Sequence, residues 1–405
     1  MDFALIDLDE EHRALQLEIR EYLTELFTPD VFAQEHEFGD GFNKKVYEGL
    51  GARGWLYPEL PATQGGADFT PLQQRIMDLE LDRQDARIMM MRGTSSLPMS
   101  AVRKYMPSDM AEPILKACAQ GQAVMCLGYS EPDGGSDIAN AKVRAVQDGD
   151  MWTINGSKMW TTGAHVSTYT FLVTRTDPDA PKHKGITMFL VPLDTPGVTI
   201  QGIRTFSGER TNIVYYEDVQ IHDRYRIGGV NDGWSVLHGP LDAEHSIGVD
   251  MSDGLTDLSI GAGFCKVLAG SIVEVAEWAN KTTGPDGRSM AEDTRVRERL
   301  GAALVEYEAG INTPGPMGRV RASDALVKQS AILQDLLGPA GLLPMDEEGS
   351  IGNGDTEYAH RFAQGTGTYG GTVEVFRTII AQHVLGLPKA SYPGSKVFLA
   401  GKKKS

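Results

Sequence analysis

The chain has 405 residues, 41% of them hydrophobic and 23% charged, with a formal net charge of −17. That length exceeds one typical domain and can bury a substantial core, and the composition is that of an ordinary soluble globular protein. The acidic surplus argues against nucleic acid and anionic membranes as partners, because both would repel it, and any polyanionic ligand would need local basic groups.

Cys118, Cys126 and Cys265 lie far apart with no Cys-x-x-Cys spacing, which indicates neither a disulfide framework nor a zinc site. They read as core residues in a reducing compartment. The acidic start, Met1 to Glu10, lacks the basic and apolar regions of a signal peptide. No apolar run approaches the ~20 residues that span a bilayer. A cytoplasmic protein is expected, with Lys402-Lys403-Lys404 as a solvated tail.

In chain order, Leu15, Ile19, Tyr22, Leu23 and Leu26 share one helical face, and Thr28-Pro29 is expected to end that helix. Helical patterns recur over 44–50, 72–82 and 109–120, and Met89, Met90 and Met91 read as packing residues. Near Ala123 the pattern changes. Val143–Val146, Met151–Ile154, Tyr169–Arg175, Gly185–Pro192 and Ile213–Tyr216 are short β-branched or aromatic runs. Turn residues at Asp148-Gly149, Asn155-Gly156 and 177–184 separate them, which predicts a small antiparallel, barrel-like domain. After Trp234 helices return over 260–280, 294–310 and 323–338, the last opening on a Ser/Asp cap. Thr313–Met317 reads as a connection between two of them. The fold class is therefore α+β: a helical domain at 1–122, a β-domain at 123–233 and a helical domain at 234–405.

Two segments carry candidate chemistry. Leu127-Gly-Tyr-Ser-Glu-Pro-Asp-Gly-Gly-Ser-Asp137 combines a glycine pair with hydroxyls, letting backbone approach a planar ligand and hydrogen-bond it without fixed charge. Asn155-Gly-Ser-Lys-Met-Trp-Thr-Thr162 sets the plate of Trp160 among polar neighbours, suited to covering an aromatic ring.

Together, in this order, these segments resemble the flavin-contacting segments of the acyl-CoA dehydrogenase family. Gly54-Trp55 with Pro61 and Gly65-Gly66, the stretch from Val143 to Val219, and Tyr369-Gly-Gly-Thr372 with Arg377 extend the resemblance over nearly the whole chain. It implies the three-part α–β–α fold of that family and bound FAD, contacted by Leu127, Tyr129, Ser130, Gly135, Ser136, Trp160, Thr162, Gly371 and Thr372. It also implies an acyl-CoA substrate met by Ser136, His245 and Gly370, oxidised to a trans-2-enoyl-CoA, and an electron-transferring flavoprotein as acceptor.

Most of the family carries its base immediately before the Gly-Thr of the C-terminal motif, where this chain has Gly370. Glycine cannot abstract a proton. A subset of the family places the base in a Leu-Asp-x-Glu-Arg segment, and Leu241-Asp-Ala-Glu-His245 matches it, with Glu244 as catalytic base and His245 in place of the arginine. A base-free reading leaves Glu244 solvating a helix start, against a favourable dipole.

The segments that family homotetramers lend to a neighbouring subunit's FAD are eroded. The region of the Arg-x-x-Phe-Gly segment reads Trp278 to Gly287, and the glutamine- and glycine-rich segment reads Asp335-Leu-Leu-Gly-Pro-Ala-Gly341. Aspartate near a pyrophosphate is unfavourable, and Pro339 removes a backbone donor. Such loss resembles the base-bearing subunits of α2β2 dehydrogenases acting on steroid side chains, which implies a heteromeric partner and a bulky acyl-CoA. Two alternatives stand beside it: a non-catalytic partner subunit, and a same-fold flavin oxidase or monooxygenase.

Overall fold

The structure is a computed structural model and describes residues 7–84, 86–244, 260–345 and 347–388. It divides into two compact units, one reaching to Glu244 and one carrying the helices from Ile260 onward.

The first unit opens with α1 (Glu10–Leu26), whose N-terminus is closed by the Asp9 carboxylate accepting from the His12 N–H. Ile19, Leu23 and Leu26 are its buried stripe. Pro29 does more than end α1: it begins α2 (Pro29–Phe38), where the first turn needs no proline N–H. Then come α3 (Lys44–Ala52) and α4 (Pro71–Leu81), the latter opened by a reciprocal Thr70–Gln73 capping box. The next helix, α5 (Met90–Tyr105), has no counterpart in the sequence reading, because Pro98 lies inside it. Its residue Met91 is fully buried, with its thioether against Gly163. α6 (Ser108–Ala119) closes the helical part.

Eight strands follow: β1 (Met125–Gly128), β2 (Arg144–Asp148), β3 (Met151–Lys158), β4 (Tyr169–Arg175), β5 (Ile186–Pro192), β6 (Val198–Arg204), β7 (Arg210–His222) and β8 (Arg226–Ile227). They form one sheet in the order β6-β7-β3-β2-β4-β5-β8, with β1 also on β4. The pairings are antiparallel except that β4 meets β1 and β2 in parallel. Asn155-Gly156 is not a turn. β3 runs through it, and a register shift against β7 between Ile154 and Gly156 absorbs the irregularity, with Gly156 at φ 134. The last described element of the unit is α7 (Gly233–Glu244), which packs on α5 and β5. One core cluster runs from Ile19 of α1 through the strands to Leu237 of α7.

The second unit contains α8 (Ile260–Lys281), α9 (Thr294–Ile311), α10 (Gly315–Leu337), α11 (Asp355–Thr366) and α12 (Val373–Ile379). α10 packs on all four others. It begins eight residues before the expected Ser323, at a Pro316 opening, so the expected 313–317 connection shrinks to the residues before Gly315. Ser323 is no cap; it is buried, bonded to the Thr366 hydroxyl at 2.9 Å. The buried Glu274 carboxylate accepts the Asp355 and Thr356 N–H groups at 3.1 and 2.8 Å, closing an α11 N-terminus that Gly354 cannot cap. The three cysteines are buried and form no disulfide with one another, and burial pushes Cys118 up to about 12 and Cys126 to about 11. Among the described residues no helix is long and apolar enough to cross a membrane.

Candidate active site

In the first unit the two motif segments meet. The Met159 N–H donates to the Ser130 carbonyl at 2.9 Å, joining the loop after β1 to the end of β3. Leu127 is fixed by pairing with Phe171 of β4, and the Tyr129 ring stands edge-on to Phe171 at 6.0 Å. Gly135 lies close against the Ser130 hydroxyl, where a Cβ would come within 3.0 Å of it. Gly135 and Ser136 are exposed at the tip of the loop.

Trp160 is 55% exposed and sits at φ 62, in the left-handed region that a residue with a Cβ enters only at a cost. The turn around it is over-determined. The Thr162 N–H returns to the Trp160 carbonyl at 3.0 Å, and Thr161 exchanges two bonds with Asn212 of β7 at 2.9 and 3.0 Å. Asn212 also donates to His165 Nδ1 at 3.2 Å, and His165 Nε2 lies 2.7 Å from Asp40, with burial pulling His165 below its ordinary value. Backbone strain persists only where the surroundings over-determine it, and such positions cluster at functional sites. The Thr162 hydroxyl lies 3.3 Å from that of Thr211.

These residues fit a flavin ring: a bare indole face, two threonine hydroxyls and a glycine-rich loop tip offer stacking area and hydrogen bonds without buried charge. The cavity behind the loop, about 100 Å³ and lined by Tyr129, Glu131, Asp133, Ile138 and Lys142, is too small for a ring system; pockets that engulf such ligands run to roughly 300–1,000 Å³. The basic groups that a polyanionic ligand needs are present but already paired, Lys142 with Asp133 at 2.6 Å and Lys182 with Asp137 at 2.7 Å.

Beneath the two segments lies a pair that the sequence reading passed over. Lys158 is fully buried, and its Nζ donates to Glu131 Oε1 at 2.8 Å and to the Tyr129 carbonyl at 3.2 Å. Desolvation pulls Lys158 down to about 8 even against Glu131. Its signal in the sequence is strand parity, since Trp152, Ile154 and Lys158 are the buried residues of β3.

In the second unit, Gly370 and Gly371 turn at φ 62 and 87, which glycine adopts freely. Thr372 caps α12 by accepting the Val375 N–H, leaving its own O–H to donate. Arg319, also unread in the sequence, is fully buried and donates through Nη2 to the carbonyls of Thr366, Tyr369 and Gly371 at 2.6, 2.8 and 3.2 Å. Its guanidinium rests on the Phe264 and Phe376 rings, and burial pulls it down to about 10. Arg377 pairs with Asp324 at 3.1 Å. Asp335 is exposed and paired with Arg299 at 2.6 Å.

Glu244 is the last described residue of α7, which begins at Gly233, so it does not stand at the helix start that the base-free reading gives it. His245 and Lys402–Lys404 lie outside the described residues.

Residues 9–122 match the family model of the acyl-CoA dehydrogenase N-terminal domain, and residues 126–219 match that of the middle domain. The acyl-CoA dehydrogenase IpdE1 of Mycobacterium tuberculosis is 31% identical over 279 residues, covering 65% of this chain and 67% of that protein. The ChsE4-ChsE5 complex from Mycobacterium tuberculosis superposes with a TM-score of 0.81 at 27% identity, covering 96% of this chain and 100% of the matched one. The Tcur3481-Tcur3483 steroid ACAD gives a TM-score of 0.80 at 27% identity, with the same coverages of 96% and 100%. Helices, sheet and helices follow in the order of that fold, and the chain belongs to the acyl-CoA dehydrogenase family of oxidoreductases.

Proposed function

We propose that this chain is the base-bearing subunit of an α2β2, FAD-dependent acyl-CoA dehydrogenase. Its substrate class is a bulky acyl-CoA such as a steroid side-chain thioester, and its electron acceptor is an electron-transferring flavoprotein. The domain limits of this reading are 1–122, 123–233 and 234–405. The observation that carries it is Trp160, a half-exposed indole held in a strained turn beside Ser130 and Thr162. The heteromeric and steroid parts draw support from two relatives of similar fold, one a two-protein complex and one a steroid ACAD. Pro339, which has no N–H to offer a phosphate, adds to that support.

Bound FAD would supply the hydride acceptor. The residues that would hold it in this reading are Trp160, covering the ring, with Leu127, Tyr129, Ser130, Gly135, Ser136, Thr162, Gly371 and Thr372. The Glu244 carboxylate takes the substrate α-proton. Gly370 leaves the more usual base position without a side chain, giving a wide acyl group room there. Ser136, Gly370 and His245 line the substrate.

The same Gly370 favours one competing reading, a subunit without catalysis. Glu244→Gln separates the two. Rapid mixing with an acyl-CoA should show flavin reduction slowed by about a hundredfold or more; reduction at the wild-type rate removes Glu244 from the mechanism.

A further inference from the structure

The Glu131–Lys158 pair poses a question that stability does not answer. A buried ion pair loses much of its Coulomb attraction to desolvation, and apolar residues of similar volume often serve a core as well or better. Lys158 is wholly buried and Glu131 is 9% exposed. An apolar pair could not, however, make the directional bonds that converge here. Glu131 accepts the Lys142 N–H through both oxygens, at 2.9 and 2.8 Å, and the Val143 N–H at 3.0 Å, besides the Lys158 ammonium. Lys158 adds its bond to the Tyr129 carbonyl. The carboxylate therefore locks the start of the loop to the backbone before β2, and the ammonium locks the same point to the end of β3.

What hangs from each end of the pair is the proposed flavin surface. Tyr129 and Ser130 immediately precede Glu131, and Trp160 stands two residues beyond Lys158. The Met159–Ser130 bond bridges them directly. A shift of the loop relative to β3 would therefore change the spacing between the Ser130 backbone and the indole face. Resting on the FAD reading above, we propose that Glu131 and Lys158 are positioning residues that set the separation of these two flavin-contacting segments and so govern FAD affinity.

The test titrates FAD into the deflavinated full-length protein, as the complex with its partner subunit where that is isolated. It compares wild type, Glu131→Gln, Lys158→Met and the double variant, reading flavin fluorescence, the visible flavin band and thermal melting of the apo form. Each single variant leaves a buried charge uncompensated and should melt lower. The double variant removes both charges and should regain most of the wild-type melting temperature. Positioning predicts that the double variant still binds FAD about tenfold or more weakly, with a blurred flavin band, although its stability has returned. Wild-type FAD affinity and spectrum in the double variant would overturn the proposal and leave a purely structural pair. A wild-type protein that binds no FAD would instead overturn the flavin reading beneath it.

Discussion

Trp160 gives a prediction that separates the stacking of its indole from the strain of its backbone. A tryptophan buries roughly 150–250 Å² when covered. With 55% of it exposed, about 100 Å² remains for a ring to cover, worth ~2.5 kcal/mol at about 25 cal/mol per Å². At 1.4 kcal/mol per tenfold, replacing Trp160 should raise the Kd for FAD by roughly sixtyfold. On the same scale the covered remainder, about 90 Å², contributes ~2 kcal/mol to the fold, while φ 62 taxes any residue with a Cβ. That strain is roughly 1–2 kcal/mol, of which glycine gives back about 0.5–1 in chain entropy. Trp160→Ala keeps the Cβ, loses the covered indole area and should melt a few degrees below wild type. Trp160→Gly should melt above the alanine variant, by about 2 °C. Fluorescence titration gives the FAD affinity and calorimetry of the apo form gives the stability. Unchanged FAD affinity in Trp160→Ala refutes the stacking role, and a lower melting temperature for the glycine variant than for the alanine variant refutes the strain.

Further predictions follow from other contacts. Glu80 of α4 is buried and accepts Arg20 Nε and Nη2 of α1 at 2.9 and 2.8 Å, and Arg20 holds its carboxyl below the ordinary 4.5. A depressed carboxyl stabilises above its unfolded value and loses that contribution as pH falls through the folded one. Melting of Glu80→Gln should therefore lie below wild type at neutral pH and approach it as the pH falls below the ordinary 4.5; a gap independent of pH contradicts this. Arg319→Met strips the donor from three carbonyls, each costing about 1–3 kcal/mol if left unsatisfied, partly offset by relief of the guanidinium's burial. Hydrogen exchange at Thr368 and Val373, whose N–H groups bond Gly365 and Gly367 across the turn, should speed up; unaltered protection there would discount Arg319 as the clamp. Analytical ultracentrifugation with flavin quantitation should find an α2β2 tetramer holding two FAD. The chain alone should bind FAD poorly, since a lost hydrogen bond to a charged group is worth roughly 1.5–3 kcal/mol. A homotetramer of this chain carrying four FAD rejects the heteromeric assembly.

The elements readable from sequence are those whose local signals agree with their tertiary setting. β4 is a run of β-branched and aromatic residues buried on both faces and flanked by turns, so Tyr169–Arg175 is legible to the residue. α8 carries an unbroken helical stripe. α5 is hidden because Pro98 and Gly93 argue locally against a helix that packing against β1 and α7 sustains. β3 is cut short on paper because a turn-like Asn-Gly stands at a register shift that only its pairing with β7 reveals. α10 starts early because a proline at the first turn opens a helix as readily as it ends one.

The site is legible in the same partial way. Motif residues such as Trp160 and Ser130 stand out by type, and the structure brings those two segments together. The groups that hold them do not stand out, since Lys158 and Arg319 are ordinary charged residues until burial and distance give them partners 27 and about 50 positions away in sequence. Glu244 is legible only through resemblance: its neighbours in sequence place it in α7 and say nothing of a proton to be taken.

FAD-dependent oxidation of an acyl-CoA by this chain is tested most directly by anaerobic titration of the purified, flavin-loaded assembly with a panel of acyl-CoA thioesters that includes steroid side-chain substrates. The flavin band should bleach with a bulky acyl-CoA, and mass spectrometry should find the matching trans-2-enoyl-CoA, two hydrogens lighter. A flavin that every thioester leaves oxidised, or an assembly that retains no flavin at all, would contradict the account.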